Sequence, residues 1–126
     1  MRDYLSGKQS DAADIFPRFA ALLAQLHRHG VLFRSVHFGN VIVMPDGRLG
    51  LIDVADMRKP LWGALTLKQR LRNFRHMLRY AEDCRLLAAY GVSRFATDYA
   101  LASEMDARHF ASLNETLAAL TANHRP

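Results

Sequence analysis

The sequence predicts an α+β fold that is mainly helical and is built around one small β-hairpin. Residues 14–29 and 66–90 carry apolar side chains at the three- and four-residue spacing of amphipathic helices. Between them, residues 41–44 and 49–52 are short apolar runs, separated by Pro45-Asp46-Gly47-Arg48. Proline and glycine in this order favour a tight turn, so the two runs are predicted to pair. All 126 residues are expected to form a single domain with a real core.

The first predicted helix covers residues 14–29. Asp11 or Asp14 can cap its N-terminus, and Gly30 is suited to follow its C-terminus. His27 and His29 lie near its end, where positive charge complements the helix dipole. The apolar stripe consists of Ile15, Phe19, Leu22 and Leu26, widened by Phe16, Ala20 and Leu23. Residues 1–10 are expected to be an arm or a small helix, and residues 31–33 a strand or bridge.

The second predicted helix begins after a Thr66 cap and is stopped by Gly91. One of its faces is basic, because four cations repeat at helical spacing: Lys68, Arg72, Arg75 and Arg79. Glu82 and Asp83 follow within pairing range. This face either binds the phosphates of an anionic glycolipid or nucleic acid, or is a solvated surface with weak ion pairs. Two shorter helices are predicted after it, residues 94–104 capped by Ser93 and residues 107–122 capped by Asp106.

Two polar residues flank the predicted hairpin. Asn40 precedes its first strand and Asp53 follows its second. Because the outer ends of antiparallel strands meet, we expect the Asn40 amide and the Asp53 carboxylate to lie side by side. Oxygen ligands of this kind suit Mg²⁺ with substrate phosphates. Asp56 is either a third ligand or a partner for Arg34 or Arg58.

The stretch from residue 32 to residue 57 resembles the catalytic and metal loops of protein-kinase-like enzymes, whose pattern is H-R-D-x-x-x-x-N, a hairpin and D-F-G. Phe33-Arg34-Ser35 stands at H-R-D, Asn40 at N, and Asp53-Val54-Ala55 at D-F-G. The runs Gly-Asn-Val-Ile-Val and Leu-Ile-Asp look most similar to bacterial lipopolysaccharide core kinases, the Kdo and heptose kinase group. Some relatives of that group are labelled toluene-tolerance proteins.

The resemblance implies a protein-kinase-like C-terminal lobe, whose ancestral reaction is ATP-dependent phosphorylation of an inner-core sugar hydroxyl. It implies Asp53 and Asn40 as the residues that hold Mg²⁺ and ATP, with Arg34 in the catalytic loop. Ser35 replaces the catalytic Asp, and a hydroxyl cannot accept a proton as a carboxylate can. His37 either substitutes as the base or orders the loop by hydrogen bonding. Ala55 replaces the glycine of D-F-G.

Residues 2–5 resemble the segment after the kinase hinge, so we expect the N-terminal lobe, with its Gly-rich loop and strand lysine, to be absent. The chain alone is then expected to be inactive. The alternative is a non-catalytic, pseudokinase-like module that binds an anionic glycolipid or a partner protein. A partner lobe or self-association would cover an exposed apolar patch, which we expect near Leu5, Val43 and Leu51.

The composition agrees with an anionic partner. The formal net charge is +5 and the sequence pI is about 9.9. The one cysteine, Cys84, excludes an internal disulfide and favours a reducing cytoplasm. No signal peptide or transmembrane segment is expected, so we predict a cytoplasmic location, with attachment to the inner membrane surface left open. Nucleic acid is not expected as a partner, because basic clustering is its only sign.

Overall fold

The computed structural model describes residues 1–7, 11–52, 57–58 and 63–122, and gives the backbone alone for 57–58. The helices are α1 (Arg2–Ser6), α2 (Ala12–Arg28), α3 (Leu67–Met77), α4 (Ala81–Tyr90), α5 (Val92–Ser103) and α6 (Ala107–Thr121). The strands are β1 (Leu32–Phe33), β2 (Val41–Val43), β3 (Leu49–Leu51) and β4 (Met57–Arg58). The prediction of a mainly helical α+β fold with a small antiparallel sheet is therefore confirmed.

The predicted hairpin is present as β2 and β3. The two strands pair antiparallel, with Val41 opposite Leu51 and Val43 opposite Leu49. The Met44 N–H donates to the Arg48 carbonyl over 2.8 Å, and Gly47 has a φ of 86°, a conformation that strains any residue with a Cβ. A second antiparallel pair joins β1 to β4. Residues 31–33 thus contribute a short strand, one of the two alternatives left open.

Helix α2 is the central helix of the core and packs most extensively against α5. It begins two residues earlier than predicted, and Asp11, one of the two candidate caps, accepts the Asp14 N–H over 3.2 Å. Pro17 consequently lies inside the helix rather than in its first turn. The core side chains of α2 are Ile15, Phe16, Phe19, Ala20, Leu23 and Ala24, all buried. Leu22 and Leu26, which were predicted to be inward-facing, are only half-buried.

The prediction of one continuous helix over residues 66–90 is wrong. The chain leaves the helical conformation after Met77 and re-enters it at Ala81, so α3 and α4 are separate helices. Tyr80 has extended backbone, with φ −102° and ψ 133°. The carbonyls freed at the end of α3 find side-chain donors: Arg79 Nε donates to the His76 carbonyl over 3.2 Å, and the Cys84 thiol lies 3.2 Å from the Leu78 carbonyl. No glycine or proline marks this break.

The last two helices are present with one changed cap. Asp106 caps α6 by accepting the His109 N–H over 2.8 Å, as predicted. Ser93 is not the cap of α5, because Gly91 occupies that position with a φ of 122°. The Ser93 hydroxyl instead donates to the Asn114 side chain over 3.1 Å and joins α5 to α6.

The exposed apolar surface lies on the opposite face of the hairpin from the one predicted. Leu5 is buried, and Val43 and Leu51 pack against the core. The large apolar side chains that the hairpin exposes are Ile42, Met44 and Ile52, each more than two-fifths accessible. The alternation of side chains along each strand explains the difference, since even-numbered and odd-numbered positions face opposite sides.

Candidate functional site

Residues 34–40 connect β1 to the hairpin in a compact loop that corresponds to the predicted catalytic loop. Within it, the His37 N–H donates to the Ser35 carbonyl over 2.9 Å, and the Asn40 N–H donates to the His37 carbonyl over 3.0 Å. Residues 38–40 form one 3₁₀ turn. Ser35 is 8% exposed, so it lies at the edge of the core rather than on a freely accessible surface. Arg34, by contrast, is exposed.

Asn40 joins this loop to the hairpin. Its side-chain Nδ2 donates to the Ser35 carbonyl over 2.9 Å, while its backbone carbonyl accepts the Ile52 N–H over 3.0 Å. With Nδ2 donating to the loop, Oδ1 is the side-chain atom of Asn40 with the chemistry to ligate a cation. Asp53, its predicted partner, lies outside the described residues, as does Asp56. Within the part of the chain that is described, no three His, Cys, Asp or Glu side chains cluster as a metal site.

His37 is held by hydrogen bonds on Nδ1. The Gly39 N–H donates to this atom over 3.1 Å, and an Arg2 Nη2 N–H lies 3.2 Å from it. Because both neighbours are donors, Nδ1 is an acceptor and a neutral ring carries its proton on Nε2. The ring also meets the Tyr80 ring edge-on at 4.9 Å. This geometry favours the loop-ordering alternative over a substitute base, with Nδ1 accepting the hydrogen bonds that order the loop.

Asp83 was not predicted as a site residue, and its predicted pairing with the basic face is wrong. Its side chain is fully buried and receives two hydrogen bonds from Arg2, at 2.6 and 3.0 Å. It also accepts the backbone N–H of Phe38 over 3.0 Å, within the loop. The hydrogen bond to Asp83 raises the pKa of Arg2. The signal was present in the sequence, because Asp83 shares a helical face with the buried Leu87 and Tyr90.

A second buried polar group, also missed, holds the start of the loop. Asn73 of α3 brackets Phe33: its Nδ2 donates to the Phe33 carbonyl over 2.7 Å, and its Oδ1 accepts the Phe33 N–H over 3.4 Å. His27 Nε2 lies 2.7 Å from the same Oδ1, and His27 Nδ1 lies 2.7 Å from the Tyr99 hydroxyl. Arg70 donates to that hydroxyl over 3.1 Å. All donors and acceptors match if His27 is neutral with its proton on Nε2.

The predicted charge-complementing role of His27 is therefore wrong. The side chain is 1% exposed, and burial lowers its pKa from 6.5 to about 4. The neighbouring Tyr99 has a pKa raised to about 12 by burial. His29, the other histidine at this helix end, is exposed. The sequence did not distinguish the two, although His27 follows Phe16, Ala20 and Leu23 at helical spacing.

The predicted basic face does not form one surface. Arg72 lies on α3, but Arg79 lies beyond its end, where its Nη2 donates to the Arg34 carbonyl. Arg75 points elsewhere and lines a groove with Glu115 and Thr116 of α6. Lys68 is exposed near the start of α3. The cations that converge are therefore Arg34, Arg72 and Arg79, and all three lower the pKa of His76 after the larger effect of its burial.

No helix in the described ranges is long and apolar enough to cross a membrane. Comparisons of the chain with models of protein families, with curated proteins and with solved structures found no match. The kinase-like reading of this site thus rests on the loop residues themselves.

Proposed function

We propose that this chain is a protein-kinase-like C-terminal lobe of the lipopolysaccharide core kinase type, in which the catalytic loop keeps its frame and has lost its acid. The single observation that supports this is the bond from Asn40 Nδ2 to the Ser35 carbonyl. This bond joins Ser35, which stands where the resemblance places the catalytic acid, to Asn40, which stands where it places a metal ligand.

In this proposal, Asn40 Oδ1 and the Asp53 carboxylate would hold Mg²⁺, which would supply positive charge to neutralise the phosphates of a nucleotide. Ser35 can orient an acceptor hydroxyl by hydrogen bonding but cannot remove its proton. Loss of a general base costs about 10²–10⁴ in rate. We therefore expect weak Mg²⁺–nucleotide binding and no measurable sugar-kinase activity from the chain alone.

The test is an ATP-consumption assay with dephosphorylated core saccharide, together with calorimetric titration of Mg²⁺–ATP. The variants are Ser35→Asp and Asp53→Asn, with Asp46→Asn as the control, since Asp46 is exposed in the hairpin turn. We expect the wild type to bind Mg²⁺–ATP without turnover. Binding should be lost in Asp53→Asn and kept in Asp46→Asn. Robust wild-type turnover that Asp53→Asn abolishes would contradict the loss of the acid. Absence of nucleotide binding in every variant would contradict the metal site.

A second candidate function is a non-catalytic module that binds an anionic glycolipid or a partner protein. The observation that favours it is the exposed hairpin face of Ile42, Met44 and Ile52. Apolar side chains grouped in this way are typical of an interaction surface. Under this alternative Ser35→Asp restores nothing, even when a kinase N-terminal lobe is supplied. Under the first proposal, that combination yields turnover.

A further inference from the structure

Three arginines and a histidine from separate parts of the chain converge beside the Ser35 loop. Arg34 belongs to the loop, Arg72 and His76 are one turn apart on α3, and Arg79 follows the helix. Arg79 connects them, because its Nε donates to the His76 carbonyl over 3.2 Å and its Nη2 donates to the Arg34 carbonyl. We call these four residues the arginine cluster.

The arginine cluster has no counter-charge among the described residues. The ion pairs of that part of the chain involve other cations: Arg2, Arg18, Arg48 and His109. Burial lowers the pKa of His76 most, and the positive charges of Arg79, Arg72 and Arg34 lower it further, as expected where like charges repel one another. A bound anion would remove this repulsion, so the arrangement favours an anionic ligand.

The geometry also limits what the anion can be. A guanidinium presents several N–H donors in a planar fork, which matches the oxygens of a phosphate. Arg79 is already oriented by two backbone carbonyls, so little side-chain entropy is lost when a ligand binds. Three guanidiniums carry more positive charge than a singly charged carboxylate or phosphodiester can balance, so a dianion suits the cluster better. We propose that the arginine cluster binds a phosphomonoester, supplied by a sugar phosphate or by a lipid headgroup.

This proposal corrects the predicted phosphate-binding set and does not rest on the proposed function. It keeps Arg72 and Arg79, adds Arg34 and His76, and excludes Lys68 and Arg75. Neither nucleotide nor Mg²⁺ is needed for its test. The chain can therefore fail as a kinase lobe and still bind a phosphomonoester, or the reverse.

The first experiment titrates ¹⁵N-labelled protein with inorganic phosphate and with glucose 6-phosphate at constant ionic strength. The variants are Arg72→Gln and Arg34→Gln, with Arg75→Gln as a matched control on the same helix. We expect saturable binding by the wild type. Arg72→Gln and Arg34→Gln should each lower the affinity about tenfold, the effect of losing one charge-assisted hydrogen bond, whereas Arg75→Gln should change the affinity by no more than about twofold. The His76 ring should report the site directly, because a bound anion raises its pKa.

The second experiment distinguishes the two sources. Vesicles of phosphatidylcholine with phosphatidic acid present a phosphomonoester, whereas phosphatidylserine presents a phosphodiester and a carboxylate. Binding to phosphatidic acid alone, lost in Arg72→Gln, would support a lipid headgroup. Saturable binding of glucose 6-phosphate without vesicle binding would support a soluble sugar phosphate. The proposal is overturned by non-saturable phosphate binding in solution, or by equal effects of Arg72→Gln and Arg75→Gln, since both indicate diffuse charge rather than a site.

Discussion

Replacing Asp83 with Asn should be among the most damaging single changes in this protein. The Asp83 carboxylate is fully buried and accepts three hydrogen bonds, two from Arg2 and one from the Phe38 backbone. An Asn side chain has one acceptor oxygen, so its NH₂ group would face a guanidinium or a peptide N–H. Removing one partner of a buried ion pair typically costs 3–5 kcal/mol. The Arg2 side chain is 24% exposed and can be partly rehydrated, so we expect about 3 kcal/mol, the lower end of that range.

The measurement is urea unfolding followed by circular dichroism. Glu82→Gln is the matched control, because Glu82 is the preceding residue, is 52% exposed and lies 4.0 Å from Arg2 Nε. Exposed pairs of this kind contribute about 1 kcal/mol or less. In a thermal melt, Asp83→Asn should lower the midpoint by about 10 °C. If the two variants lie within about 0.5 kcal/mol of each other, Asp83 is not the anchor inferred here.

A double-mutant cycle separates the ion pair from the packing. Arg2→Met alone leaves a buried carboxylate with only the Phe38 N–H, and should destabilise the protein at least as much as Asp83→Asn. Arg2→Met combined with Asp83→Leu removes both charges, and should be less destabilising than the sum of the single changes. Strict additivity would show that Arg2 and Asp83 do not stabilise each other. Amide exchange at Phe38 should accelerate in Asp83→Asn, because that N–H loses its acceptor.

Two further predictions concern the core and the hairpin. The folded state keeps His27 neutral to about pH 4 and the unfolded chain binds its proton near 6.5, so the free energy of unfolding should fall by up to about 3 kcal/mol as the pH drops between these values. In urea titrations across this range, His27→Gln should flatten most of the dependence and His29→Gln should not. Ile42→Lys and Ile52→Lys should reduce the binding of a hydrophobic dye with little effect on stability. Leu49→Lys places a charge against the core and should unfold the protein. Unchanged dye binding in the first two variants would exclude the hairpin face as an interaction surface.

The features that could be predicted from the sequence are those set by interactions between residues close together in the chain. The hairpin and the α6 cap follow from Gly47 and Asp106, whose effects act over three or four residues. The break between α3 and α4 could not be predicted in this way, because the residues there, Leu78 to Tyr80, are acceptable in a helix. Arg79 hydrogen-bonds the His76 carbonyl of α3, three residues away, and the Arg34 carbonyl, 45 residues away, and the second of these contacts cannot be inferred from local sequence. The same limit applies to the partner of Asp83: helical spacing indicates that Asp83 is buried, but Arg2 is 81 residues away in the chain.

The break between α3 and α4 allows side chains from both helices to hydrogen-bond the loop of residues 34–40. The loop backbone is held at one end by Asn73 of α3, which brackets Phe33, and at the other by Asp83 of α4, which accepts the Phe38 N–H. In a continuous helix, these two side chains would be separated by about 15 Å along the axis, since each residue adds about 1.5 Å. The change of direction at residues 78–80 lets two buried polar side chains reach opposite ends of one short loop. Buried polar groups are stable only when they are hydrogen-bonded, so each would destabilise a fold that lacked the loop in this conformation. Two of the buried polar side chains in the described part of the chain thus fix the backbone on either side of Ser35.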